Sequence, residues 1–176
     1  MNFNNSLLSK DDQLLVAFSG GPDSTACLHY LCNIHDKSRI FAYYLHHGLR
    51  SQADEEVEFC RRFCGQLGVD FYTGKVNVSE LAHQQKKSLE QMGREVRYQK
   101  LTELAQSPNP KPQSPNSNHQ PPTTKIITAH HLDDQVESIL MQFFSGTGPL
   151  RSGIAEQIII NGIDVIRPLL GAARQE

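Results

Sequence analysis

The chain has 176 residues, 38% of them hydrophobic and 20% charged, and its 17 Lys and Arg against 19 Asp and Glu leave a net charge of −2. That length and apolar content suit one domain with its own core, while so even a charge balance argues against a domain that grips nucleic acid through a broad basic surface. Apolar runs such as 14–18 are far shorter than the roughly twenty residues that cross a bilayer, so no membrane association is expected.

In chain order, residues 1–10 mix Asn, Ser and a few Leu with no basic patch leading into an apolar stretch, which is not a secretory pattern; a cytoplasmic location is the expectation. Residues 14–18 and 40–45 are nearly continuous apolar runs, as in strands covered on both faces. A helix follows the first and runs towards His35. Residues 54–67 place Val57, Cys60, Phe63, Cys64 and Leu67 at helical spacing, with Glu55, Glu56, Arg61 and Arg62 on the other side. A third strand is expected over 69–76. Leu89, Met92, Val96, Leu101 and Leu104 mark a second apolar helix face. Strands over 125–129 and 163–166 bracket a third, made of Val136, Ile139, Leu140, Phe143 and Phe144. All three faces are expected to pack into the core.

Short strands alternating with helical periods define an α/β fold: a doubly wound parallel sheet of about five strands with helices on both faces. One stretch breaks the alternation. Residues 106–124 hold six of the nine prolines among Ser, Asn and Gln, and read as a flexible insertion. The four cysteines, at 27, 32, 60 and 64, form no Cys-x-x-Cys pair and fall in apolar-periodic segments, so plain buried thiols are expected.

The segment richest in chemistry is Ser19-Gly20-Gly21-Pro22-Asp23-Ser24-Thr25, directly after the first strand and opening a helix. Glycines let the backbone turn sharply and bring N–H groups against an anion, and the unpaired N–H groups of the helix start point the same way. No Lys follows the glycines as in a nucleotide P-loop, and Gly-x-Gly-x-x-Gly is missing. Asp23 would repel a phosphate unless a cation intervened, which suggests magnesium. The same residues would also make a good generic turn with a cap. Downstream, Asp133 and Asp134 suit the start of a helix for the same capping reason. In a parallel sheet, however, their strand would end at the same edge as the first, facing the glycine loop. Glu90, Arg94 and Arg97 share one side of a helix, where Glu90 can pair with Arg94.

Ser-Gly-Gly-x-Asp-Ser after a first strand resembles the pyrophosphate loop of the N-type ATP pyrophosphatases. Within that superfamily the chain is similar to the tRNA(Ile)-lysidine synthetases. The similarity rests on His46-His47-Gly48-Leu49-Arg50, on Glu90 with Arg94-Glu95-Val96-Arg97-Tyr98, and on Thr128-Ala129-His130-His131-Leu132-Asp133-Asp134-Gln135. Gly146-Thr147-Gly148 and Ile166-Arg167-Pro168-Leu169-Leu170 complete it.

The resemblance implies use of ATP and Mg2+ to adenylate C2 of the wobble cytidine in a tRNA(Ile) with CAU anticodon, followed by displacement of AMP by free L-lysine. It implies catalytic roles for Asp23, Asp133, Asp134, Arg94 and Arg97. ATP would be bound by Ser19, Gly20, Gly21, Pro22, Asp23, Ser24, Thr25, His47, Gly48 and Arg50, and substrate by His130, His131, Glu90, Gly146, Thr147 and Gly148. The metal would sit on Asp23 and Asp133. Sulfur-inserting relatives look alike around the two aspartates but carry Cys-x-x-Cys pairs. The family continues into a tRNA-holding region, so residues 1–176 are expected to be its catalytic domain without that region. A homodimer is left open.

Overall fold

The computed structural model describes residues 3–48, 53–107, 123–145 and 153–173. Six strands form one sheet: β1 (Gln13–Ala17), β2 (Ile40–His46), β3 (Asp70–Lys75), β4 (Thr124–Ile127), β5 (Gln157–Ile160) and β6 (Ile163–Ile166), in the order β3-β2-β1-β4-β6-β5. All neighbours are parallel except β5 and β6. Five helices accompany them: α1 (Pro22–Ile34), α2 (Ala53–Leu67), α3 (Val78–Gln85), α4 (Leu89–Gln106) and α5 (Leu132–Phe144).

The continuous apolar runs explain the sandwich. Side chains alternate along a strand, so Leu14 and Val16 of β1 pack with Cys27, Leu28 and Leu31 of α1 and Cys60 and Cys64 of α2 on one face. Leu15 of β1 joins Phe41, Tyr43 and Leu45 of β2 with Val78 and Ala82 of α3 and Met92, Val96 and Leu101 of α4 on the other. Both layers are buried, and β1 lies inside the sheet between β2 and β4. Its C-terminal end is therefore flanked by protein on every side except the edge where the glycine loop emerges.

The doubly wound architecture matches expectation, and four local features differ. The sheet has a sixth strand: β5 and β6 form a hairpin across Asn161 and Gly162, with φ of 51° and 80°. Asn-Gly is a strong short-range hairpin signal. Helix α3 was not anticipated; Asn77 caps it by accepting from the Glu80 N–H. Leu89 is exposed at the start of α4. The expected core face of α5 is open to solvent, with Val136 49% exposed, Phe143 72% and Phe144 81%. Periodicity reports that a helix has an apolar side, not that another element covers it. Here α5 leaves the sheet edge after its first turn, where the Leu132 N–H bonds the Ala172 carbonyl, and among the described residues it contributes no buried side chain. The expected insertion begins and ends where α4 stops and β4 starts; residues 108–122 lie outside the described residues.

Gly93 sits inside α4, facing β2. A methyl group there would meet the His47 Cε1 at 3.5 Å, ordinary van der Waals contact. Gly93→Ala is therefore expected to raise stability by about 0.5–1 kcal/mol, the helix-propensity difference, and a urea unfolding series would show a higher midpoint at unchanged slope.

Candidate active site

The loop between β1 and α1 is shaped by its own hydroxyls. Ser24, buried in the first turn, donates its Oγ–H to the Gly21 carbonyl at 3.0 Å. The same Oγ accepts the Ser19 N–H at 3.3 Å and lies 3.1 Å from the Ser19 Oγ. Gly20 has φ +74°, and a Cβ there would come within 2.9 Å of the Cys60 Sγ on α2. Pro22 occupies the first helical turn, where its missing N–H costs nothing. Gly21 offers no side chain to cap α1, and among the described residues no side chain caps this helix start. This is an anion cradle. Thr25 Oγ1 lies buried beside it without a hydrogen-bond partner.

Directly across the sheet edge, β4 leads into a tight turn in which His131 caps α5. The Asp133 N–H donates to His131 Nδ1 at 3.2 Å, and the His131 N–H donates to Asp134 Oδ2 at 2.8 Å. With Nδ1 accepting, the neutral ring carries its proton on Nε2. That atom lies 3.7 Å from Asp23 Oδ2 and 3.6 Å from Asp134 Oδ2. One buried imidazole thus joins the glycine loop to the aspartate turn. Its neighbour His130 is pushed down to about 4 by burial and then by the Arg167 guanidinium, against a smaller opposing pull from Asp134. His130 is therefore neutral near pH 7, with Nδ1 3.0 Å from the Thr128 hydroxyl.

The far wall is built from β2 and α4. His47, lowered by burial and then by the nearby Arg97, lies with its Nε2 3.5 Å from Arg97 Nη2. Partial desolvation lowers Arg97 itself, which stays a cation. The Gly48 N–H bonds His46 Nδ1 at 3.0 Å and holds the turn. Together these walls enclose a cleft of about 370 Å³.

Ser19, Gly21, Asp23, Ser24, His47, Arg97, His130 and Asp134 line this cleft. Gly20 borders a neighbouring depression with Glu55, Glu56 and Phe59, and Pro22, Thr25 and Gly48 form the supporting backbone. Among the described residues, Asp133, Glu90 and Arg94 are not brought into the lining, and His131 lies buried behind it. Asp133, second in α5, keeps a side chain 57% exposed, whereas Asp134, third, turns back to the cap and into the cleft. Of the two aspartates it is therefore Asp134, not Asp133, that shares the cleft lining with Asp23. Glu90 and Arg94 are exposed and do not pair; Arg94 lies 5.8 Å from the Tyr98 ring centre instead. Arg50, Gly146, Thr147 and Gly148 lie outside the described residues.

Three lining residues carried no sequence signal of their own, Tyr43, Tyr44 and Glu56, while Tyr98 and Thr128 stood in recognised motifs without a role. Arg167 belonged to a recognised motif without a role. It is 1% exposed, donates to the Ala155 carbonyl and, through Nη2, reaches the Tyr98 hydroxyl at 3.4 Å, with no carboxylate partner among the described residues. It reaches Tyr98 from behind and, second to burial, disfavours protonation of His130. As for a metal, no group of three or more His, Cys, Asp or Glu among the described residues is arranged to cage one. Two carboxylates beside an anion cradle suit magnesium, which keeps waters and shares phosphate oxygens rather than taking an all-protein site.

A mostly parallel sheet whose first strand–loop–helix faces an aspartate turn at the carboxyl edge places the chain in the doubly wound α/β class, where nucleotide sites lie at that edge. The chain matches the PP-loop domain family over residues 1–176, and it belongs to that family. It is 36% identical over 173 residues to the bifunctional protein TilS/HprT of Listeria monocytogenes, covering 97% of this chain and 25% of that protein. It is 36% identical over 167 residues to the tRNA(Ile)-lysidine synthase of Persephonella marina, covering 93% and 33%. The chain thus spans a quarter to a third of the length of these relatives. In fold it resembles the U34-tRNA thiolase NcsA of Methanococcus maripaludis, solved with its iron–sulfur cluster (TM-score 0.65, 16% identity, covering 98% of this chain and 57% of that one). It also resembles the NH3-dependent NAD synthetase of Campylobacter jejuni (TM-score 0.59, 14% identity, covering 97% and 62%).

Proposed function

We propose that this chain is the ATP-using catalytic portion of a tRNA(Ile)-lysidine synthetase, acting in the cytoplasm on a tRNA(Ile) with CAU anticodon and free L-lysine. The observation that carries the reading is the His131 imidazole held between Asp23 and Asp134. It makes the glycine loop and the aspartate turn two sides of one cleft, and the sequence relatives name the chemistry. The uncapped start of α1 and the Ser19 and Ser24 hydroxyls hold the phosphates. The C2 carbonyl oxygen of the cytidine attacks the α-phosphorus and pyrophosphate leaves; the lysine ε-amine then attacks C2 and AMP departs. Magnesium, held by Asp23 and Asp134, would supply charge neutralisation on the phosphates.

The protein contributes position and electrostatics rather than a covalent intermediate. Arg97 brings a cation to the wall opposite the loop. Neutral His130 can hydrogen-bond substrate without adding charge beside the phosphates. The sulfur-inserting alternative is disfavoured by the cysteines. None forms a Cys-x-x-Cys pair, all four are buried, and burial pushes Cys27 and Cys64 up to about 12 and Cys60 up to about 11.

The test is incorporation of radiolabelled lysine into tRNA(Ile), with and without ATP. ATP-dependent incorporation, slow for residues 1–176 alone, is expected. ATP consumption that needs no RNA would overturn the reading, as would failure to bind ATP with magnesium.

Protonation of His130 links the site to pH. Its folded-state value lies below the ordinary 6.5, so between about 6.5 and 4 the unfolded chain binds a proton that the folded chain refuses. The associated stability is present above that window and is lost as pH falls through it, roughly 3 kcal/mol in all. Denaturant titrations from pH 7 to 4 should show this slope, and His130→Gln should flatten it.

A further inference from the structure

Among the described residues, Glu56 is the one acidic lining residue that the proposed chemistry leaves unused. It lies in the first turn of α2, beyond the end of the β2 wall, and borders both the main cleft and the adjoining depression formed with Ser19, Gly20 and Gly21. Its carboxylate is held in place: the Tyr44 hydroxyl donates to Oε2 at 2.6 Å, and burial together with this bond pushes Tyr44 up, so the phenol stays a donor. A fixed carboxylate beside a phosphate loop repels phosphate oxygens. It favours instead an uncharged donor attached next to the phosphate.

In a nucleotide that donor is the sugar, which joins the phosphate at the loop to the base. The base would lie on the Tyr43, Leu45 and Leu101 side of the cleft, whose residues are apolar or aromatic. A carboxylate reading ribose hydroxyls is a recurrent solution in doubly wound nucleotide folds. The other two carboxylates of the cleft, Asp23 and Asp134, both face His131 on the opposite flank.

We infer that Glu56, positioned by Tyr44, is the ribose-reading residue of the cleft, accepting a hydrogen bond from a 2′- or 3′-hydroxyl and so selecting ribonucleotides over deoxyribonucleotides. This rests on the ATP reading above. Tyr44 is a positioning residue: without its hydroxyl the carboxylate is free to rotate away from the sugar.

The test compares ATP, 2′-deoxy-ATP and 3′-deoxy-ATP, each with magnesium, binding to residues 1–176 by calorimetry. A hydrogen bond to a charged group is worth about tenfold or more in affinity. The unmodified chain should therefore prefer ATP to at least one deoxy analogue by about that factor. Glu56→Ala should bring the ratio to about one, and Tyr44→Phe should reduce it. The ratio is read rather than the absolute affinity, because removing a negative charge near the phosphates strengthens every triphosphate alike.

Equal binding of all three by the unmodified chain would overturn the inference while leaving the ATP reading intact, and so would an unchanged ratio in a folded Glu56→Ala variant. A Glu56→Gln variant whose only change is a raised KM for lysine would also overturn it, placing the amine at Glu56. Binding of none of the three would overturn the ATP reading and this inference with it.

Discussion

Asp23→Ala should lower ATP-dependent pyrophosphate release by about a hundredfold or more, the usual cost of removing a group that stabilises charge at a reacting phosphate. Asp23 lines the cleft from the first turn of α1, and its carboxylate meets His131 Nε2 across it. A carboxylate in that place is unfavourable for a bare triphosphate and favourable only with a cation between them, so its loss should weaken the nucleotide's magnesium complex specifically. Its side chain is 30% exposed, and removing it leaves the packed layers untouched. A melting temperature within a few degrees of the unmodified chain would separate this effect from misfolding.

The paired variants at the aspartate turn sharpen the same test. Asp134→Asn should fall by a similar factor while leaving the start of α5 nearly unchanged, because the amide oxygen can still accept the His131 N–H. Asp133→Asn should stay within about threefold, as expected for an exposed side chain. Equal losses at the two positions would refute the assignment of the metal to Asp23 and Asp134.

The second large effect is expected at Gly20. Its φ of +74° costs an L-residue about 1–2 kcal/mol. The added methyl would also press on the Cys60 Sγ at 2.9 Å, in a fully buried layer where the sulfur has nowhere to go. Gly20→Ala should therefore destabilise the fold by about 2–3 kcal/mol, which for a chain of this size is a fall of roughly 5–10 °C in Tm. It should also displace the loop N–H groups enough to weaken ATP by about tenfold or more. The double variant Gly20→Ala, Cys60→Ala separates the causes: removing the sulfur relieves the contact but not the backbone strain, so only part of the loss should return. Unchanged ATP affinity in the single variant would show that the loop is not the phosphate cradle.

Recognition by sequence succeeded where a residue's local chemistry admits few structures. Ser19-Gly20-Gly21-Pro22-Asp23-Ser24 specifies a strand–turn–helix because glycine, proline and the hydroxyls each meet one backbone requirement. The continuous runs of β1 and β2 specify burial on both faces because nothing in them tolerates water. Asn161-Gly162 carries an equally local signal for the β5–β6 hairpin, although the apolar pattern by itself marks only 163–166 as a strand.

What lay beyond local chemistry depended on distance. Asp133 and Asp134 are equivalent as sequence, both acidic at a helix start; the helical advance of about 100° per residue aims only the second at Asp23. The apolar side of α5 is as periodic as that of α2, yet α2 lies on the sheet and α5 leaves it. Arg167 has no role assigned by its motif and is buried behind Tyr98, and Glu56 reads as the solvent side of α2 and borders the cleft. The amino-acid sequence by itself determined the layers and the strand–turn–helix around the glycines, since these follow from hydrophobic burial and backbone sterics acting over a few residues. Which side chains share the cleft was decided only by the tertiary structure, because facing groups such as Asp23 and Asp134 are more than a hundred residues apart and meet only when parallel strands end at one edge.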